Sequence, residues 1–374
     1  MNFKSHLFTL FSCSLTLSNV QALEPLVEKT AEYEDIKARL ELANLDTNQD
    51  GKVQKEENEK LWKRNKGVDK NNDGGIDLEE LKQTLPKAMD TPGKKLMNVP
   101  YKKVGDSKLY LDFYFPDVDE SKKKPVVVFT HGGGWATGSK GKAGAASFGE
   151  VHKALLKEGF CVMSVQYRLV KKGGDSGMRD CVIDCKDAVR FISAHSEELG
   201  VDPEKVYTFG DSAGGHLAQM LLYTSSDSLK GDLELSNYSY KTVGGVSWYG
   251  PCDFQDVQLF NHDDRDGFRD RFGPRIMGGG ANPEDKEELY KEMSPVSYLT
   301  ENSPPLLMLQ GDKDTTIPVK QAYRMQQELK TVKAPVEIVI IKNAGHNWRS
   351  VDAPIEPTRK EIIQQTIDFF LKNK

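Results

Sequence analysis

Cysteine is scarce, with five residues in 374. A disulfide-stapled scaffold is therefore excluded, because such folds need many bridges in a short chain. No strong positive excess exists either. Lys and Arg number 51 against 56 Asp and Glu, for a net charge of −5, which argues against a nucleic-acid binder that must neutralise phosphates. No apolar run, the N-terminal one included, is long enough to cross a bilayer. The chain is 38% hydrophobic and 9% aromatic, so it is neither disordered nor collagen-like. Its length suits one large or two unequal domains.

The charge is unevenly placed. Residues 24–90 hold 17 acidic and 12 basic side chains, which equals the whole net charge. The remaining 284 residues, 91–374, hold 38 basic and 39 acidic side chains. A near-neutral body of this kind suits an uncharged substrate better than a polyanion.

Residues 1–22 are expected to be a secretory signal peptide. Lys4 supplies the positive start, His6 to Leu17 a modest apolar stretch, and Val20-Gln21-Ala22 a cleavage site. A secreted or periplasmic location follows as an expectation. Leu10-Phe11-Ser12-Cys13 only loosely resembles a lipoprotein box. Of the other cysteines, Cys161 reads as a small buried hydrophobe, and Cys181 and Cys185 lie one helical turn apart without His or Cys partners for a metal site.

Two twelve-residue segments account for the acidic stretch. In the first, Asp46, Asn48, Asp50 and Glu57 take positions 1, 3, 5 and 12, with Gly51 at the turn. Lys52 would offer its backbone carbonyl and Gln54 would act through water. The second has Asp69, Asn71, Asp73, Asp77 and Glu80, with Gly74 at the turn and Gly75 offering a carbonyl. Calcium is a hard cation that takes six to eight oxygens, and a tight loop of acidic and amide side chains can supply them. A structural Ca²⁺ in each loop is the expectation. The second loop has four carboxylates against three and should bind more tightly. Val53 and Ile76 occupy position 8, where paired loops meet.

Only residues 58–68 separate the loops, leaving room for one short helix over about 58–65. A helix over 31–42 should enter the first loop. This compact pair resembles those of bacterial secreted proteins and dockerin modules. It points to a stabilising or docking role, with a possible docking partner, more than to a switch. Residues 23–90 thus read as an EF-hand pair, 91–99 as a linker and 100–374 as a catalytic domain.

From 109 onward, apolar strands alternate with helical patterns. Strands are expected at 109–115, 126–130, 161–166, 206–209, 243–248, 306–309 and 336–341. Helices are expected at 145–158, 178–198, 213–223, 319–329 and 358–371. This rhythm specifies an α/β fold with a mainly parallel sheet. Residues 253–297 break it with charges, Gly and Pro, and read as an insertion near the site.

Gly210-Asp211-Ser212-Ala213-Gly214 lies between a strand and a helix, the context of a nucleophile elbow. The strand over 126–130 ends in His131-Gly132-Gly133-Gly134-Trp135, whose glycine backbone can turn N–H groups toward an oxyanion. Gly133, Gly134 and Ala213 are the expected oxyanion-hole donors. Asp314, before Ile317-Pro318, is the expected triad acid, with Asp312 its main rival and Asp253 a weaker one. His346, after Ala344-Gly345, is the expected base. No catalytic cofactor is called for.

With these motifs in place, residues 102–371 resemble an α/β-hydrolase esterase of the bifunctional feruloyl/acetyl-xylan esterase family, related to hormone-sensitive-lipase-like enzymes. His131–Trp135, Gly210–Ala218, Ser303–Pro318 and Gly345–Trp348 carry the likeness. The acid segment departs from the hormone-sensitive-lipase pattern. The resemblance implies hydrolysis of acetyl or hydroxycinnamoyl esters on plant-type polysaccharide. An arylformamidase-like amidase and a general short-chain esterase share the motifs, and substrate assays separate them. A calcium-dependent scaffold with an inactive hydrolase domain is a further alternative, opposed by the complete Ser–Asp–His order.

Overall fold

The computed structural model describes residues 42, 45–64, 67–84, 88–117, 123–171, 173–278 and 281–374. The signal segment, Cys13 and nearly all of the expected entering helix lie outside them.

In the acidic stretch, two short strands, β1 (Val53–Gln54) and β2 (Gly75–Ile76), pair antiparallel. Val53 lies opposite Ile76, as the position-8 residues should. Helix α1 (Glu59–Arg64) connects the loops, and α2 (Leu78–Lys82) follows the second, capped by Asp77 and Glu80. Val53, Leu61, Val68, Ile76 and Leu81 form a small core of their own.

Strand β3 (Lys95–Val104) starts inside the stretch read as a linker. The sequence reading assigned no strand here. Pro100 lacks an N–H and speaks against a central strand, but edge strands tolerate it. β3 is the outermost strand of an eight-stranded sheet. Lys102 anchors it by ion pairs to the buried carboxylates of Asp184 and Asp187. Met89, just before it, packs with Tyr114, Leu156 and Val162.

The sheet continues through β4 (Ser107–Tyr114), β5 (Lys124–Thr130), β6 (Cys161–Val165), β7 (Val201–Asp211), β8 (Thr242–Trp248), β9 (Leu306–Gly311) and β10 (Val336–Ile341). Its spatial order is β10-β9-β8-β7-β5-β6-β4-β3. The six strands from β10 to β6 are parallel, and β4 and β3 are antiparallel. Helices α3 (Ala146–Lys157), α4 (Met178–Ala194), α5 (Ala213–Tyr223), α6 (Gly273–Met277), α7 (Lys286–Glu292), α8 (Lys320–Val332) and α9 (Arg359–Lys372) complete the domain. The helix expected over 178–198 ends at Ala194, and a separate turn follows at Ser196–Leu199.

Strand β5 shows why the sheet reads as unbroken apolar runs. Successive strand side chains point to opposite faces. Val126 and Val128 join the core with Met178, Val182 and Leu217 from α4 and α5. Val127 and Phe129 join the other, with Val151 and Leu155 from α3 and Ile362 and Phe370 from α9. Both faces are covered, so no position can be polar without cost. Each such fully buried side chain contributes about 1.5–3 kcal/mol.

The four described cysteines, Cys161, Cys181, Cys185 and Cys252, are buried and free. Burial pushes the Cys161 thiol up to about 12 and holds those of Cys181 and Cys185 well above their ordinary value.

From β5 the chain runs to β6 on one side, then returns through β7 to build the other half of the sheet. A crevice opens where the order reverses, beyond the carboxyl ends of the strands. The loop after β5 and the turn after β7 both face it.

Candidate active site

Ser212 occupies the turn between β7 and α5, with φ 52° and ψ −122°. Positive φ is costly for a side-chain-bearing residue. Its N–H donates to the Trp248 carbonyl at 2.8 Å, which holds the turn in place. The neighbouring glycines are required by space. A Cβ on Gly210 would lie 2.2 Å from the Gly214 carbonyl oxygen, and one on Gly214 would lie 2.0 Å from that of Thr130.

His346 follows the short strand β11 (Ala344–Gly345), which pairs with β12 (Arg349–Ser350). Its Nδ1 lies 2.7 Å from Asp314 Oδ2 and its Nε2 lies 3.1 Å from Ser212 Oγ. A carboxylate only accepts, so Nδ1 carries the proton and Nε2 is left to accept from the serine hydroxyl. Asp314 is buried, and its Oδ1 accepts from the N–H groups of Thr316 and Ile317 at 2.8 and 2.9 Å. The geometry thus selects Asp314 over its rivals. Asp253 is ion-paired with Arg324 at 2.8 Å, and the Nδ1 of His346 is taken by Asp314. The Tyr249 ring, at the end of β8, stands edge-on to the His346 ring at 4.8 Å.

The glycine loop sits opposite. Gly133 and Gly134 have φ 132° and 59°, so their backbone conformation favours glycine. Ala213 heads α5, where a first-turn N–H has no intrahelical acceptor. Asp211, the residue before the serine, accepts from the Gly132 N–H at 2.9 Å and pairs with Lys142 at 2.7 Å. It clamps the glycine loop to the elbow. The sequence reading gave no role to Asp211, which fills the variable position of the elbow motif that any residue fits, or to Tyr249, which lies outside every motif.

Gly133, Gly134, Ser212 and His346 line one cleft of about 530 Å³. Trp135, Lys142, Thr316 and Ile317 add to its wall, with Arg271, Phe272 and Arg275 from the expected insertion.

Trp135 is secured from behind by His216. The Trp135 indole N–H donates to His216 Nδ1 at 3.2 Å, and Nε2 faces the Met293 carbonyl at 2.8 Å. His216 is therefore neutral, with its proton on Nε2. Burial pushes its imidazole down to about 4, and likewise that of His152. The unfolded chain binds these protons near pH 6.5, so stability is full above that value and falls as pH drops toward 4. Each histidine should contribute a slope of about 1.4 kcal/mol per pH unit in that window. Urea unfolding between pH 7 and 5 should show a shallower slope for His216→Gln than for the unmutated protein; equal slopes would refute the assignment.

The calcium-loop residues are only partly gathered. Gly51 and Gly74 make their turns at φ 89° and 85°. Asp46 accepts from the N–H groups of Asp50 and Gly51, and Asp69 from those of Asp73 and Gly74. Glu57 folds back onto Thr47, Asn48 and Gln54, and Glu80 onto Lys70, Asn71 and Asp77. Asp50 takes a hydrogen bond from Gln54, Asn48 donates to Gln54, and Asp73 is paired with Lys52 at 2.6 Å. Gly75 lies in β2. Among the described residues no three His, Cys, Asp or Glu side chains converge as a metal cluster. The all-oxygen donor set and the backbone turns fit a hard cation, provided Asp50 and Asp73 leave Gln54 and Lys52.

Comparison with known proteins now bears on this geometry. A family model described as EF hand matches residues 42–61 and 68–85. Esterase LipC of Mycobacterium tuberculosis is 30% identical over 246 residues, covering 65% of this chain and 58% of that protein. Isoprenylcysteine alpha-carbonyl methylesterase ICME of Arabidopsis thaliana is 26% identical over 272 residues, covering 69% and 58%. The match thus spans less than two thirds of these curated relatives. The apo form of Thermogutta terrifontis esterase 2 superposes with a TM-score of 0.58 at 24% identity, over 77% of this chain and 96% of that one. That likeness establishes the α/β-hydrolase fold. A family model described as BD-FAE matches residues 111–329, more than half of the chain, which therefore belongs to the BD-FAE family.

Proposed function

We propose that this chain is a secreted serine carboxylesterase acting on acetyl or feruloyl-type esters of carbohydrate. The observation that carries the reading is the hydrogen-bonded series Ser212–His346–Asp314 at the base of an open cleft. The family match and the esterase names of the relatives support the ester chemistry.

In the proposed cycle, His346 Nε2 takes the Ser212 proton as Oγ attacks the ester carbonyl carbon. Asp314 holds the ring and stabilises its positive charge. The N–H groups of Gly133, Gly134 and Ala213 receive the developing oxyanion. His346 then returns the proton to the departing alcohol. Water, deprotonated by the same nitrogen, attacks the acyl-enzyme, and His346 returns that proton to Ser212 Oγ as the acid leaves. Each step uses a group of this chain.

Acetate release from acetylated xylan, compared with formate release from N-formylkynurenine and hydrolysis of p-nitrophenyl butyrate, tests the substrate class. Preferential acetate release supports the reading. Faster formate release would replace it with an amidase, and turnover of the nitrophenyl ester alone would leave a general short-chain esterase.

The N-terminal pair is proposed to bind structural calcium through Asp46, Asn48, Asp50, the Lys52 carbonyl, Gln54 and Glu57, and through Asp69, Asn71, Asp73, the Gly75 carbonyl, Asp77 and Glu80. Calcium at 100 times its dissociation constant would stabilise each loop by about 2.7 kcal/mol. In calorimetry of the full chain, EGTA should lower the transition of the N-terminal pair and leave that of the sheet domain in place. Identical traces with calcium and with EGTA would refute calcium binding.

A further inference from the structure

Arg271 and Arg275 belong to the active-site cleft but have no part in the proposed cycle. Both also line a second cleft of about 440 Å³, with Ala136, Val170, Lys171, Pro274 and Gly278. They form the shared wall of the two spaces. Their guanidinium carbons lie 4.9 and 5.6 Å from the centre of the same Phe272 ring. Phe272 is itself fixed edge-on against Trp135, Phe254 and Phe260.

Among the described residues neither arginine makes an ion pair. Arg271 donates to the Thr315 and Thr316 carbonyls, and Arg275 reaches the Arg271 carbonyl at 3.5 Å. The nearest acids are engaged elsewhere. Asp270 accepts from Tyr290 and from the N–H groups of Phe272 and Gly273. Asp211 holds Lys142, and Asp314 holds His346. The second cleft adds Lys171, and among the described residues no carboxylate lines it. Burial lowers both guanidinium pKa values; at Arg271 the charge of Asp314 opposes this, while Arg275 and Arg265 add repulsion. An anion between them would relieve that repulsion.

We propose that the ester taken by this site carries a carboxylate, seated between Arg271 and Arg275 on the wall shared by the two clefts. This deepens the serine-esterase reading and rests on it. A planar guanidinium matches a carboxylate by paired N–H···O bonds, and the Phe272 ring preorganises both. A uronic-acid sugar would bring the carboxylate on the alcohol side of the ester; a dicarboxylic half-ester would bring it on the acyl side. The near-neutral total charge of the sheet domain hides this local excess.

Two ester pairs test the proposal, each a charged compound against a neutral analogue. 4-Acetoxybenzoate against its methyl ester probes the alcohol side; ethyl hydrogen succinate against diethyl succinate probes the acyl side. The wild-type protein should favour the charged member of one pair by roughly ten- to a hundredfold in kcat/KM, mostly through KM. The pair that responds identifies the side. The ratio should collapse toward one in Arg275→Gln and in the Arg271→Gln/Arg275→Gln double variant, survive partly in Arg275→Lys, and shrink with added salt. Equal turnover within both pairs, or an unchanged ratio in the double variant, would overturn it. If no ester is cleaved, the serine-esterase reading fails. The carboxylate claim is then judged by calorimetric binding of the four compounds to Ser212→Ala protein, where equal affinities would overturn it.

Discussion

Ser212→Ala should lower kcat for p-nitrophenyl acetate by about 10⁴- to 10⁶-fold, the scale seen when the nucleophile of a serine triad is removed. The substitution deletes one oxygen and keeps Cβ, so the turn at φ 52° and the Ser212 N–H bond to Trp248 survive. Stability should change by no more than about 1 kcal/mol. The glycine loop stays in place, because Asp211 and not Ser212 holds it. Residual turnover above the water reaction is therefore expected from preorganised N–H groups. Burst-phase kinetics and circular dichroism check both halves. A folded variant that still shows a stoichiometric burst would place the nucleophile elsewhere.

Gly214→Ala should be severely damaging, since an added Cβ there makes the closest approach of any described glycine. Its Cβ would stand 2.0 Å from the Thr130 carbonyl oxygen and 2.6 Å from the His131 carbonyl carbon. Both are backbone atoms, so no side chain can swing aside. Relief requires α5 to part from the end of β5, which Thr130 ties to the Gly214 carbonyl at 2.7 Å. A loss of about 3 kcal/mol or more is expected. In a domain of this size that lowers Tm by roughly 6–12 °C. Activity should fall further than stability, since the same movement separates the glycine loop from Ser212. Gly200→Ala is the control: Gly200 has φ 61° but nothing within 4 Å, so it costs only the roughly 1–2 kcal/mol of backbone strain. Equal Tm losses in the two variants would show that the close approach to β5 is not what matters.

The elements that were legible share a physical reason. β5, β8 and β10 are largely apolar runs bounded by turn residues, and their expected limits lie within two residues of those observed. Ser212, Asp314 and His346 each follow a strand at its carboxyl end, so their order along the chain already implied their meeting. β3 was missed because its signal is mixed: it starts next to Asp90-Thr91-Pro92-Gly93-Lys94-Lys95, which reads as a linker, Pro100 speaks against a strand, and only pairing with β4 and the buried ion pairs of Lys102 make it one. Asp211, Tyr249, Arg271 and Arg275 were missed for another reason. Their roles depend on partners about 70 or more residues away, or on the walls of a cleft, and no local pattern encodes either.

The sulfur of this chain has a consequence for its manufacture. Cys161, Cys181, Cys185 and Cys252 are enclosed, and burial raises their thiol pKa values. At neutral pH almost none of this sulfur is thiolate, the form that attacks a disulfide or a peroxide. The native sheet domain should then tolerate glutathione, dithiothreitol or mild oxidants equally. That protection belongs to the folded state, so refolding from denaturant needs a reductant to keep the exposed thiols from oxidising.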